Sequence, residues 1–308
     1  MKVNSYDSFK YGFTGFVLSF AALPLYIATP SIYQLQSGLT LTTIGLIMMI
    51  VRLIDAFTDP IIGRLIDKTN GHRFLIWLKP SVIVLAFSLC FLLSPPSFIT
   101  SKPLVVLWMI IFTFLVSISN GIALLSYQSW VVSWTGDANE QNKLISSREA
   151  FSLLGVIIAS FFITLNLNKL ISTIILCMSF ISFFTLNSLR KNELYQNKTK
   201  IGSFSWFKVF NKRTTKFYLI FAFNALANSI PAILFLFFYR DVLILNDTLG
   251  GILLVSYFVC AALSIPFWKY LIKNIDEFNT WCIGVLISII FFIFALFLNE
   301  NNFYSFLI

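Results

Sequence analysis

Residues 44–63, IGLIMMIVRLIDAFTDPIIG, form an apolar stretch long enough to cross a bilayer, whose hydrocarbon core takes about 20 such residues. Three ionisable residues interrupt it: Arg52, Asp55 and Asp59. On a helix these positions fall within roughly a 60° arc, so all three share one face. An ionised side chain near the bilayer centre costs roughly 2.5–3.5 kcal/mol on insertion scales, so the charged face must turn toward other helices or a water-filled cavity. One arginine against two carboxylates leaves a net negative charge when both acids are ionised. A monovalent cation, or a proton on one acid, restores neutrality. This is the physical case for Asp55 and Asp59 as cation ligands with Arg52 as their charge partner. A structural alternative has Arg52 and Asp55 neutralise each other while Asp59-Pro60 ends or kinks the helix. A stabilising pair, however, needs no second acid on the same face.

The rest of the chain agrees with a membrane setting. Of its 308 residues 58% are hydrophobic and 11% charged, and 35 are Phe; soluble chains are about a quarter charged. An all-α integral membrane protein is the class this composition allows. The N-terminus lacks a short apolar core followed by a small-residue cleavage site, so the first span is expected to act as its own insertion signal. Cys90, Cys177, Cys260 and Cys282 lie within apolar runs without metal-ligand spacing and read as small apolar fillers.

About nine spans can be read, near 11–34, 43–65, 74–94, 103–133, 148–167, 169–189, 217–239, 249–271 and 281–298, and a tenth begins at Phe303. With the N-terminus inside, the cytoplasmic segments collect most of the 22 Lys and Arg residues. Only Lys102, Lys169 and Arg240 fall outside, while Arg52 and Lys79 lie in the membrane. This asymmetry predicts a cytoplasmic N-terminus. The +9 net charge is therefore topological, with attraction to anionic lipid, and nucleic acid is excluded as a partner.

Residues 190–216, rich in Lys and Asn, form a basic cytoplasmic loop between an N-terminal six-helix bundle (1–189) and an incomplete C-terminal bundle (217–308). Six spans, a basic loop and a second set resemble the layout of the major facilitator transporters, whose halves are repeats. The run GRLIDKTNGHR after span two, with Gly63, Asp67, Lys68, Gly71 and Arg73, looks like that superfamily's loop signature. There the Gly permits close helix approach, and the Asp with basic residues latches the cytoplasmic ends. Any short inside loop also tends to be basic.

Three stretches together resemble the glycoside–pentoside–hexuronide:cation symporters, the family of melibiose permease. RLIDAFTDPIIG looks like that family's second-helix motif, whose two aspartates coordinate Na⁺, Li⁺ or H⁺. Tyr127, Thr135, Asp137, Glu140, Leu144 and Arg148 fall on the spacing of the hallmark joining helices four and five. Ser129, Trp130, Val132, Ser133, Trp134 and Gln141 depart from it. Ser264-Ile-Pro-Phe-Trp268 resembles the end of helix eight. The resemblance runs from about Tyr11 to Trp281. It implies a major facilitator-type bundle, in a bacterial inner (plasma) membrane, that moves a small polar solute such as a sugar or glycoside by symport with Na⁺ or H⁺. The acidic sugar contact of helix one is replaced by Ser19, and the polar residue of helix four by Leu124, with Asn120 the nearest polar candidate. Losing both polar contacts sets sugar specificity apart from that family, while the cation motif is kept.

The substrate-cavity candidates are Ser19, Asn120, Tyr127, Arg148, Asn224 and Asn228. Arg148 either binds substrate by the family pattern or pairs with Asp137 or Glu140 at the membrane surface. Asn224 and Asn228 share a face and either line the cavity or bond between helices. Lys79 either reaches the Asp55/Asp59 cluster or snorkels to the interface. His72 reads as solvated in its loop. No phosphate cradle, metal-ligand cluster or nucleophile–base pair argues for an enzyme, and no cofactor is expected beyond the coupling ion. A monomer is expected. The family has twelve spans, so a second reading is a truncated, non-transporting remnant or a membrane assembly partner of the same fold. An ion channel is disfavoured, because no ring of repeated charged or carbonyl-rich segments is visible.

Overall fold

The computed structural model describes residues 4–96, 99, 101–135, 137–165, 167–189 and 212–298. The chain separates into two compact units, Met1–Asn197 and Lys198–Ile308. In the first lie α1 (Ser5–Tyr26), α2 (Ala28–Ser37), α3 (Leu41–Lys68), α4 (Arg73–Leu93), α5 (Lys102–Trp134), α6 (Ala138–Thr164) and α7 (Asn168–Ser188). In the second lie α8 (Lys212–Phe237), a π-helical turn (Phe238–Val242), α9 (Asp247–Ile275) and α10 (Glu277–Ala295). Eight helical segments among the described residues are long and apolar enough to cross a membrane. Most of the basic loop, and the tenth span at Phe303, lie outside the described residues.

The boundaries differ from those of the sequence where local chemistry intervenes. The first span is broken at Ile27, between α1 and α2. Pro30 has no N–H to give the Tyr26 carbonyl, and its ring would collide with that carbonyl in a continuous helix. Thr29 Oγ1 donates to Pro24 O at 3.3 Å and satisfies one carbonyl freed nearby. Conversely, α3 runs through Pro60 to Lys68, so Asp59-Pro60 does not end it. The fifth span starts ten residues early because Asp137 caps α6, accepting from Asn139 N at 2.9 Å. Lys212–Lys216, expected in the loop, are the first residues of α8.

In the first unit α1 packs on α6 and α7, α4 on α5 and α7, and α3 on α5. Leu78, Leu85, Leu89 and Leu92 of α4 are fully buried in that core. The α1–α6 seam is tight because it is built on glycine. A Cβ on Gly15 would sit 3.0 Å from Arg148 O, and one on Gly155 would sit 3.1 Å from Phe20 N. Such small residues let backbones approach, which is what drives packing where the solvent is itself apolar.

Candidate functional site

Helix α3 starts firmly. Thr40 caps it by accepting from Thr43 N at 3.3 Å, and Ile44, Ile47, Val51, Ile62 and Ile66 bury its inner face. Asp55 lies on that face and is buried. Ser117 of α5 donates its hydroxyl to Asp55 Oδ2, and Arg52 Nη1 lies 3.6 Å from the same oxygen. One turn on, half-buried Asp59 lies along Gly121, whose Cβ, if it had one, would be 2.9 Å from Asp59 Oδ1. The two acids are four residues apart on α3, and the residues they meet are four apart on α5. The helices therefore run parallel in fixed register, with both carboxylates toward span four.

Arg52 is less enclosed than the two acids. Its side chain is 54% exposed, and its guanidinium lies 4.7 Å over the ring of Tyr26 at the end of α1. The aromatic face attracts the cation.

Asn120 lies on α5 one turn after Ser117, and its Oδ1 is buried without a hydrogen-bond partner among the described residues. Ser19 is half-buried on the α1 face that carries Gly12 and Gly15 toward α6. Tyr127 is fully buried, and its hydroxyl donates to Tyr11 O at 2.7 Å. Arg148 binds neither Asp137 nor Glu140. Its Nη2 and Nε reach Glu149 Oε1 at 2.6 and 3.0 Å, while Glu140 pairs with Lys143 at 2.7 Å and Asp137 is occupied as a cap. Lys79 donates to Asn187 Oδ1 of α7 at 2.5 Å, a partner other than the acidic cluster. Asn224 is half-buried on α8, in the other unit, and the side chain of Asn228 lies outside the described residues.

The loop motif is in part a working turn. Arg73 Nη1 lies 3.4 Å from Asp67 Oδ1, and Gly71 has a φ of +79°, which a side chain would strain. Lys68 closes the last turn of α3, where a cation suits the helix dipole. A Cβ on Gly63 would meet nothing within 4 Å among the described residues. Contrary to the solvated reading, His72 Nδ1 is buried and has no hydrogen-bond partner among the described residues. The open groove of about 630 Å³ between the first turns of α1 and α6, lined by Ser5, Ser8, Asn139 and Lys143, includes neither aspartate.

Sequence reasoning missed Ser117 and Gly121. Their spacing repeats that of the acids, a small hydroxyl and a glycine one turn apart in an apolar helix. That signal becomes meaningful only once α5 is known to be the neighbour of α3.

Comparison with known proteins fits this arrangement. Over 155 residues, 47% of this chain, it is 28% identical to the uncharacterised symporter YnaJ of Bacillus subtilis (strain 168), and the match spans 32% of that relative's length. The model of the MFS/sugar transport protein family matches residues 8–308. The chain therefore belongs to the MFS/sugar transport protein family and is an integral membrane protein.

Proposed function

We propose that this protein is a symporter of the melibiose-permease type, coupling entry of a small polar solute, a sugar or glycoside, to Na⁺ or H⁺. The observation that carries the reading is the pair of acids set against α5. Among the described residues, Asp55 is buried against the Ser117 hydroxyl, Asp59 is alongside, and Arg52 forms a long ion pair with Asp55 while staying 54% exposed. Two carboxylates with less than one full counter-charge create a demand for a bound cation in a medium that solvates charge poorly. The relative's name as a symporter supports the same mechanism.

Coupling then follows from linkage. A cation that lowers the electrostatic cost of the site favours the conformation in which the solute also binds, and the effect is reciprocal, commonly about 1–3 kcal/mol. Alternating access would come from one helix bundle rocking against the other. The charge asymmetry supports a cytoplasmic N-terminus, and the family resemblance a bacterial inner membrane.

The test is uptake of a panel of labelled sugars and small polar solutes by proteoliposomes, with and without an imposed Na⁺ or pH gradient. At least one solute should accumulate only with a gradient of one of these ions. Accumulation indifferent to both gradients, or no uptake of any solute, overturns the proposal.

A further inference from the structure

We infer that Ser117 is a positioning residue for cation binding, holding Asp55 in one orientation for a monovalent metal ion such as Na⁺ or Li⁺. The inference rests on the cation-coupling reading above and adds a residue and an ion class to it.

Ser117 is 6% exposed and Asp55 is 8% exposed, so their hydrogen bond is made away from water. A carboxylate on a helix turns about two torsions, and ordering it on ion binding costs entropy. A hydroxyl fixed in the neighbouring helix orders it in advance, as outer partners commonly do for metal-ligating side chains. Ser117 and Arg52 both address Oδ2, so Oδ1 is the oxygen turned to other work. Gly121 serves Asp59 differently, since the missing side chain leaves room for the carboxylate to lie against α5.

The ion class follows from the oxygens. A proton needs one acceptor, and either aspartate alone would supply it. Here two carboxylates lie along α5, and Asn120 of the same helix has a buried Oδ1 that accepts from no donor among the described residues. Buried unsatisfied acceptors are uncommon in proteins, and an ion or water is one of the ordinary explanations. Hard oxygen donors of this kind suit hard metal cations.

The experiment measures ²²Na⁺ binding to the full chain purified in detergent, with LiCl and choline chloride as competitors, for the unmodified protein, Asp55→Asn, Ser117→Ala and Ser117→Thr. Unfolding temperatures in choline chloride report on folding separately. Ser117→Ala should weaken ²²Na⁺ binding by roughly 10- to 100-fold, the usual effect of losing an outer partner of a metal ligand. Ser117→Thr, which keeps the hydroxyl, should restore it, and both variants should unfold near the parent temperature in choline. Failure of the unmodified chain to bind ²²Na⁺, or binding unchanged in Asp55→Asn, would overturn the metal-cation site and this inference with it. Binding lost in Asp55→Asn but unmoved in Ser117→Ala would overturn the role of Ser117 alone. Loss in Ser117→Thr equal to that in Ser117→Ala would also overturn it.

Discussion

Tyr11 of α1 and Tyr127 of α5 are locked reciprocally: each hydroxyl donates to the other's backbone carbonyl, at 2.8 and 2.7 Å. Their rings stack at 4.4 Å, beside Trp130 and Trp134, themselves stacked at 4.8 Å. This clasp joins two helices that otherwise share few contacts, and it engages the hydroxyl of a residue proposed to face substrate. Tyr127→Phe should therefore spare gradient-driven uptake while lowering stability by about 0.5–1.5 kcal/mol, the net worth of one hydrogen bond. Thermal unfolding followed by tryptophan fluorescence, with uptake on the same preparation, checks both halves. A large loss of uptake at unchanged stability would return Tyr127 to the substrate list.

The acids should matter more than their arginine. Asp55→Asn and Asp59→Asn each remove a formal negative charge while remaining easy to insert, since neutral Asn costs less to bury. Each should abolish the effect of the gradient on accumulation without reducing the amount of protein in the membrane. Arg52→Ala should be milder, because its ion pair with Asp55 is long, at 3.6 Å, and its guanidinium also rests over the Tyr26 ring. Accumulation under matched gradients, normalised to membrane protein, ranks the three.

Gly121 and Gly63 make a matched pair of helical glycines with opposite surroundings. Gly121→Ala places a methyl group 2.9 Å from the position of Asp59 Oδ1, so that carboxylate must move. Gradient-driven uptake should fall sharply. Gly63→Ala meets nothing within 4 Å and should be neutral or stabilising, by about 0.5–1 kcal/mol, as expected for Gly to Ala in a helix. Uptake and unfolding temperature of the two variants side by side decide the matter.

The α1–α6 seam should be intolerant of volume. In Gly155→Ala the new methyl meets Phe16 O and Phe20 N, backbone atoms that cannot swing aside. Overpacking of this kind typically costs about 1–3 kcal/mol. The loss should appear as a lower unfolding temperature in detergent.

The membrane class, the helical character and the shared face of Asp55 and Asp59 were legible in the sequence because each rests on local periodicity. What the sequence left out was mostly pairing between helices. Nothing local marks Ser117 as the donor to a residue 62 positions earlier. The Arg148–Glu149 pair was missed for another reason: adjacent residues do not face each other on a helix, so candidates three or more positions away took precedence. A guanidinium is long enough to fold back along the helix surface and defeat that rule. The break at Ile27 was readable in principle, since Pro30 was in view, but the apolar run through it suggested one span.

The parallel register of α3 and α5 has a consequence for what holds these helices in step. One turn before Ser117 on α5 stands Thr113, buried, its hydroxyl without a partner among the described residues. If α3 slid by a single turn, about 5.4 Å, Asp55 would come opposite Thr113 and Asp59 opposite Ser117, giving each carboxylate a hydroxyl. Hydrogen bonding alone would thus favour the wrong alignment. The observed one must be imposed by shape, through the isoleucines at 44, 47, 62 and 66 that key α3 into its neighbours. Those apolar teeth, more than the charged groups they carry, decide which oxygens meet.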